Sequence, residues 1–179
     1  NGVTSADSAS SLFAYNAILE LTGPEGIRQV PIQEFYTGPG KTVRRHEEVM
    51  TAIRIRRRDY EGYTGCYIKY GKRNAMEIAT LGCACLVKLS WDKKVVEDMR
   101  IAYGVAAPTP VRCPETEKSV SGQAVSKALL LQTGKGVLNE VNPRTSWRAS
   151  KEFRLQLVEE LAKRAMAQAI RNGGGEVDA

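Results

Sequence analysis

The sequence predicts an α+β fold, and three observations carry it. Strand-like runs joined by tight turns fill the first part of the chain, proline-bounded helical segments follow, and a long apolar stripe at helical spacing closes it. Short connections between successive strands imply antiparallel pairing, so the expected architecture is a small antiparallel sheet with helices packed on one face. The 179 residues suffice for one ordinary core, or for one core with a small annex.

Taken in order, residues 8–15 follow Asp7 and form a short helix, for which Asp7 or Ser8 is the expected N-cap. Residues 18–22 alternate apolar and polar side chains as a strand does, Gly23-Pro24-Glu25-Gly26 is a turn, and residues 27–32 return as the second arm of a hairpin. Residues 35–42, centred on Gly38-Pro39-Gly40, read as an irregular loop. Residues 49–56 form a strand with one solvated face, ending in the basic run Arg54, Arg56, Arg57 and Arg58, with a turn over residues 59–65. Residues 66–71, 78–89 and 95–103 are three further strands in an antiparallel meander.

Pro108, Pro110 and Pro114 then break the pattern, and residues 115–121 and 123–131 read as short helices separated by Gly122. The last helix runs over about residues 150–172, with Phe153, Leu157, Val158, Leu161, Ala165, Met166, Ala169 and Ile170 on one stripe. Asn172 and the glycines at 173–175 stop it, and residues 176–179 are expected to fray.

Apolar residues at 42% and charged residues at 26% exclude wholesale disorder, collagen and a coiled-coil rod. Lysine and arginine exceed aspartate and glutamate by 26 to 20, a mild net charge of +6. No apolar window of membrane-spanning length and no signal-peptide layout is visible, so the expectation is a cytoplasmic protein without a membrane partner. Cys66, Cys83, Cys85 and Cys113 contain no C-x-x-C pair, and His46 is the single histidine, so no metal site is expected. Cys83 and Cys85 lie two apart on one strand and face the same way, beside Gly82 and Ala84, as packed core thiols do.

The phosphate-loop motifs fail. Gly38-Pro39-Gly40-Lys41-Thr42 lacks the upstream glycine of a Walker A loop, since that position is Phe35. No G-x-G-x-x-G or G-x-S-x-G occurs. His46 has no nucleophile near it in sequence, and the arginine run has no interleaved aromatics to stack bases, so nucleic acid is not an expected partner.

Four stretches carry a family resemblance. The opening Asn1-Gly-Val-Thr-Ser-Ala-Asp-Ser resembles the tail of the flavin-contact motif "G-G-N-I-x-N-x-x-x-S-A-D". Residues 67–79 resemble "K-x-x-x-R-x-A-M-D-I-A", residues 102–112 resemble "G-x-x-A-P-T-P-x-R", and residues 147–154 resemble "R-A-S-x-E-F-R". In this order they mark the FAD-binding (medium) subunit of bacterial xanthine dehydrogenases and other molybdenum hydroxylases. The resemblance implies that residues 1–57 are the C-terminal portion of the PCMH-type FAD-binding domain. Residues 58–179 would be a CO dehydrogenase flavoprotein C-terminal-like domain with an antiparallel sheet of about three strands and a helical bundle.

The same resemblance implies a chain that holds FAD but no metal and passes electrons from iron–sulfur clusters through FAD to NAD. Its partners would be an iron–sulfur subunit, a molybdopterin subunit and the N-terminal FAD-binding portion, whose glycine-rich pyrophosphate loop lies outside these residues. By carry-over, Asp7 stands beside the ribityl and pyrophosphate region, Met50 at the apolar position whose backbone meets the flavin rings, and Lys69 at the flavin itself. Ser5 and Thr4 line the cofactor. No catalytic residue is implied. The alternative is a docking domain that packs on a partner subunit and binds no cofactor when isolated.

Overall fold

A computed structural model describes residues 2–177. Of the tail expected to fray, residues 178 and 179 lie outside the described residues, as does Asn1 at the head of the first motif. The chain begins with helix α1 (Asp7–Ala14), then strands β1 (Ile18–Gly23) and β2 (Gly26–Pro31), which pair antiparallel as the hairpin predicted from the Gly-Pro-Glu-Gly turn. β5 (Val49–Arg54) pairs with the other edge of β1, giving a three-stranded sheet in the order β2-β1-β5. Between them, one helical turn, α2 (Ile32–Phe35), takes up the last residue of the expected hairpin arm and the first of the expected irregular loop, and the rest of that loop is ordered as a small hairpin of β3 (Tyr36–Gly38) and β4 (Lys41–Thr42). Ile32 and Phe35 drive that correction, because burying both side chains pulls the turn onto the core.

The short helix α3 (Arg57–Tyr60) leads into the second sheet, where β6 (Tyr63–Tyr70), β7 (Leu81–Leu89) and β8 (Val95–Gly104) form the predicted meander. β9 (Val111–Arg112) pairs with one end of β8, and α4 (Pro114–Val120) follows with its proline in the first turn, where no amide partner is lost. Gln123 and Ala124, expected to open a helix, form the short strand β10 against β8. The helix proper, α5 (Lys127–Gly136), starts after Ser126, whose hydroxyl accepts from the Leu129 amide at 3.1 Å. It runs past the predicted stop through Gly134, where a Cβ would lie 3.1 Å from the Glu159 carbonyl oxygen. That glycine is a helix–helix contact and not a terminator.

The last helix, α6 (Lys151–Asn172), matches its predicted range closely, with Ser150 as N-cap accepting from the Phe153 amide, although Phe153 itself, expected on the apolar stripe, is exposed. Leu157, Val158, Leu161, Ala165, Met166, Ala169 and Ile170 are buried against Leu81, Cys83, Cys85 and Val87 of β7. Burying each large aliphatic side chain contributes roughly 1.5–3 kcal/mol. Tyr103, fully buried on β8, donates its hydroxyl to the Val158 carbonyl at 2.9 Å.

Helices on a single face were expected, but both faces of β7 are covered. Leu81 to Val87 are all buried. Odd-numbered positions face α6, while Ala84 and Leu86 pack with Ala102 against Phe13, Ala14, Leu19 and Leu21. Two-sided burial explains why this segment reads as a continuous apolar run without alternation. Cys83 and Cys85 sit in the core as expected, and burial pushes both thiols far up.

Three of the four arginines of the run are paired within the chain, and Arg58 is exposed. Arg54 pairs with Glu20 at 2.7 Å, Arg56 with Asp59 at 2.8 Å and Arg57 with Glu61 at 2.5 Å. His46 is exposed.

Candidate cofactor-binding site

Strand alternation builds the first half of the site. On β6, Cys66 and Ile68 turn to the α6 side and pack on its core, so Tyr67 and Lys69 turn to the opposite side, where α1 lies. α1 begins there with Asp7. The expected N-cap is corrected: Ala6 occupies the capping position without a side-chain bond, and Asp7 is the first helical residue. Its carboxylate is turned away to Lys69, whose Nζ donates to Asp7 Oδ2 at 2.7 Å. A negative charge in the first turn still suits the helix dipole.

The Tyr67 hydroxyl faces the same carboxylate. Burial first, and then the charge and hydrogen bonding of Asp7, push the phenol up to about 12, so Tyr67 stays neutral across the physiological range. Lys69 Nζ makes a second bond, to the Glu77 carbonyl at 2.7 Å. Glu77 in turn accepts from the amides of Lys72 and Arg73, each at 2.9 Å, and the Arg73 amide is the first of the bonds that hold its carboxyl below the usual range. Gly71 is required by this arrangement, because a Cβ there would lie 1.6 Å from Glu77 Oε1. The loop therefore folds back and holds the Lys69 ammonium by a second contact besides Asp7.

A cavity of about 260 Å³ adjoins the pair through Thr4 and Ser5 on one side and Ile78 on the other. Its remaining wall includes Asn142, Arg144, Arg148 and Arg154, with no carboxylate among its lining residues. Arg154 is 2% exposed. It donates to the Thr80 carbonyl at 3.3 Å, to Ser146 Oγ at 2.8 Å and to the Arg144 carbonyl, which are neutral acceptors. Burial, and then the charges of Arg144 and Arg148, lower its pKa. Val105, also in the lining, has φ of +68°, a costly conformation for a β-branched residue, held in part by the Ala106 carbonyl bonded to the Asn142 amide at 2.9 Å. The cavity is an electropositive recess that an anionic group would stabilise.

Of the residues expected at the site, Asp7 and Lys69 are in direct contact, and Thr4 and Ser5 line the adjoining cavity. Met50 lies on β5, paired with Leu21 and partly buried against the first core, and is not part of the cavity lining. Sequence reasoning assigned no role to Tyr67, Glu77, Arg144, Arg148 or Arg154. Tyr67 was findable, since it precedes Lys69 by two positions on a strand. Arg148 and Arg154 stand inside the "R-A-S-x-E-F-R" stretch, but nothing in one sequence says that the latter points back into a cavity.

Residues 66–169 match the family described as the CO dehydrogenase flavoprotein C-terminal domain. The chain belongs to that family. Residues 1–56 match the FAD binding domain in molybdopterin dehydrogenase. The xanthine dehydrogenase FAD-binding subunit of Escherichia coli O157:H7 is 41% identical over 99% of this chain and 60% of its own length. The glyceraldehyde dehydrogenase medium chain of Sulfolobus acidocaldarius is 31% identical over 93% of this chain and 59% of its own length. The chain thus spans about three-fifths of the length of these two relatives. Among solved structures, carbon monoxide dehydrogenase from Hydrogenophaga pseudoflava lacking the Mo-pyranopterin moiety of its cofactor superposes with a TM-score of 0.87. The match has 26% identity and covers 96% of this chain and 58% of that one.

Among the described residues no helix is long and apolar enough to cross a membrane, and no group of His, Cys, Asp and Glu is placed to hold a metal.

Proposed function

We propose that this chain is part of the FAD-carrying subunit of a xanthine dehydrogenase-like molybdenum hydroxylase, a multi-subunit oxidoreductase. The observation that carries the reading is the meeting of Asp7 and Lys69 at 2.7 Å, with Tyr67 facing the same carboxylate. The proposed division is a C-terminal portion of the FAD-binding domain over residues 1–57 and the flavoprotein C-terminal-like domain over residues 58–179.

The donor set suits FAD. Asp7 accepts hydroxyl hydrogen bonds of a ribityl or ribose group, Thr4 and Ser5 offer hydroxyls beside it, and Lys69 supplies a positive charge against an electron-rich ring. Tyr67 keeps its proton and remains a neutral donor. Met50 is the proposed backbone contact to the ring system. When bound, FAD supplies the step between one-electron transfer from iron–sulfur clusters and two-electron transfer to an acceptor. The Arg144, Arg148 and Arg154 recess draws in the phosphates of that acceptor, for which NAD is the proposed identity. The proposed partners are the iron–sulfur and molybdopterin subunits and the N-terminal FAD-binding portion, and the proposed location is the cytoplasm.

The test is the flavin absorption spectrum and intact mass of the purified chain after FAD is added and the excess removed, alone and with the N-terminal portion co-expressed. Flavin retained in the co-expressed form, and lost when Lys69 and Asp7 are replaced together, supports the reading. A colourless protein in both forms favours a docking domain that binds no cofactor.

A further inference from the structure

Among the described residues β6 is the outermost strand of its sheet, paired only with β7 along its eight residues. Two bonds fix which backbone groups point outward. The Tyr70 carbonyl accepts from the Thr80 amide on the inner side, and the Gly65 carbonyl accepts from the Asn172 side chain on the outer side. Alternation then puts the N–H and C=O of Tyr67 and Lys69 on the free edge, where no bond from outside the sheet reaches them among the described residues. An edge left open in this way pairs readily with another extended chain unless something blunts it.

The edge is flanked by a cleft on each face, and both clefts reach Cys66. One, about 540 Å³, has an apolar floor of Ile68, Leu130 and Ala167 under a rim that includes Arg164 and Arg171. The other, about 220 Å³, lies under Ser11 and Tyr15 of α1. A strand added to β6 sends successive side chains alternately into the two clefts. Arg171 has no carboxylate within salt-bridge distance among the described residues, so the helix-side cleft is left electropositive.

We propose that this edge docks an extended segment of a partner polypeptide, alternating apolar and acidic residues, as an added strand of the second sheet. The proposal does not rest on the FAD reading, because it is argued from the backbone edge and the α6 rim; of the cofactor-site side chains it shares only Tyr67, a wall of the α1-side cleft.

The probe is a capped synthetic peptide of about ten residues, a length that matches such a strand, alternating valine and glutamate, added to the purified chain. Amide exchange is followed residue by residue by NMR. Saturable binding with exchange at the Tyr67 and Lys69 amides slowed about tenfold or more is expected, together with about tenfold weaker binding to the Arg171→Glu variant. Arg171→Gln, milder at the helix end, should give an intermediate loss, and unchanged thermal midpoints exclude misfolding as the cause. Unaltered exchange at these amides, or equal binding of a valine–lysine peptide, overturns the proposal. Protection of the same amides that rises with protein concentration in the absence of peptide assigns the edge to a second copy of the chain and overturns it too.

Discussion

Lys69 Nζ and Asp7 Oδ2 stand 2.7 Å apart although 62 residues separate them in the chain. The contact ties the first turn of α1 to the end of β6, and it exists because a two-residue period and a helix start converge on one spot. At the surface such a pair is worth little to folding, about 0–1 kcal/mol, so its role is to place a cation and a carboxylate side by side.

Replacing Lys69 with Met keeps the aliphatic stem and removes the charge. The expected result, in the form that carries the N-terminal FAD-binding portion, is a flavin dissociation constant raised about tenfold to a hundredfold, as for loss of one charge-assisted hydrogen bond. The urea midpoint should barely move. Fluorescence titration with FAD, run beside urea unfolding, separates the two, and an unchanged affinity removes Lys69 from the site.

Arg154 makes the opposite trade. Its guanidinium serves the Thr80 and Arg144 carbonyls and Ser146 from a buried position, so Arg154→Met leaves those acceptors unpaired. A loss of about 2–4 kcal/mol in unfolding free energy is expected. A more stable variant would mean that repulsion from Arg144 and Arg148 outweighs the hydrogen bonds.

Acid should weaken the fold in part through Glu48, which is 6% exposed. The Arg28 guanidinium, bonded at 2.6 Å, and then the Arg45 amide hold its carboxyl at about 2, against 4.5 ordinarily. A lowered folded-state pKa gives stability that is present above the unfolded value and lost as pH falls through the folded one. The window is therefore about pH 4.5 down to 2. Urea unfolding at a series of pH values should show a shallower fall across that window in Glu48→Gln than in the wild type. Parallel curves would remove Glu48 as a contributor.

The thiols should divide by burial. Cys83, Cys85 and Cys113 are buried and their pKa values lie far above the ordinary one, whereas Cys66 is partly exposed and raised by burial alone. Iodoacetamide at pH 8 should add at most one carbamidomethyl group to the native chain, at Cys66, and four in denaturant. Rapid native labelling of Cys83 or Cys85 would show that the β7–α6 packing opens readily.

Much of the fold was legible because its signals are local. The stripe from Leu157 to Ile170 and the turns at Gly23-Pro24-Glu25-Gly26 and after Leu89 each state their structure within a few residues. The misses are places where a distant partner decides. The helix expected to end at residue 131 runs on through Gly134, which packs against Glu159, and Gln123-Ala124 look helical until the end of β8 takes their backbone bonds. At the site, Asp7 and Lys69 were reached through resemblance. The arginine recess was not reached, because Arg144, Arg148 and Arg154 meet only after the segment before α6 folds back over Thr80.

The two-sided burial of β7 bears on how such a protein can be rearranged. Ala84, Leu86 and Ala102 are shaped to side chains contributed by the first third of the chain, so a cut between the two sequence halves would bare an apolar surface on each piece. The halves are therefore not interchangeable cassettes. A chimera that joins this second half to the first half of a relative would need Phe13, Leu19 and Leu21 matched along with it, and grafts that ignore them should aggregate even with every cofactor-facing residue intact.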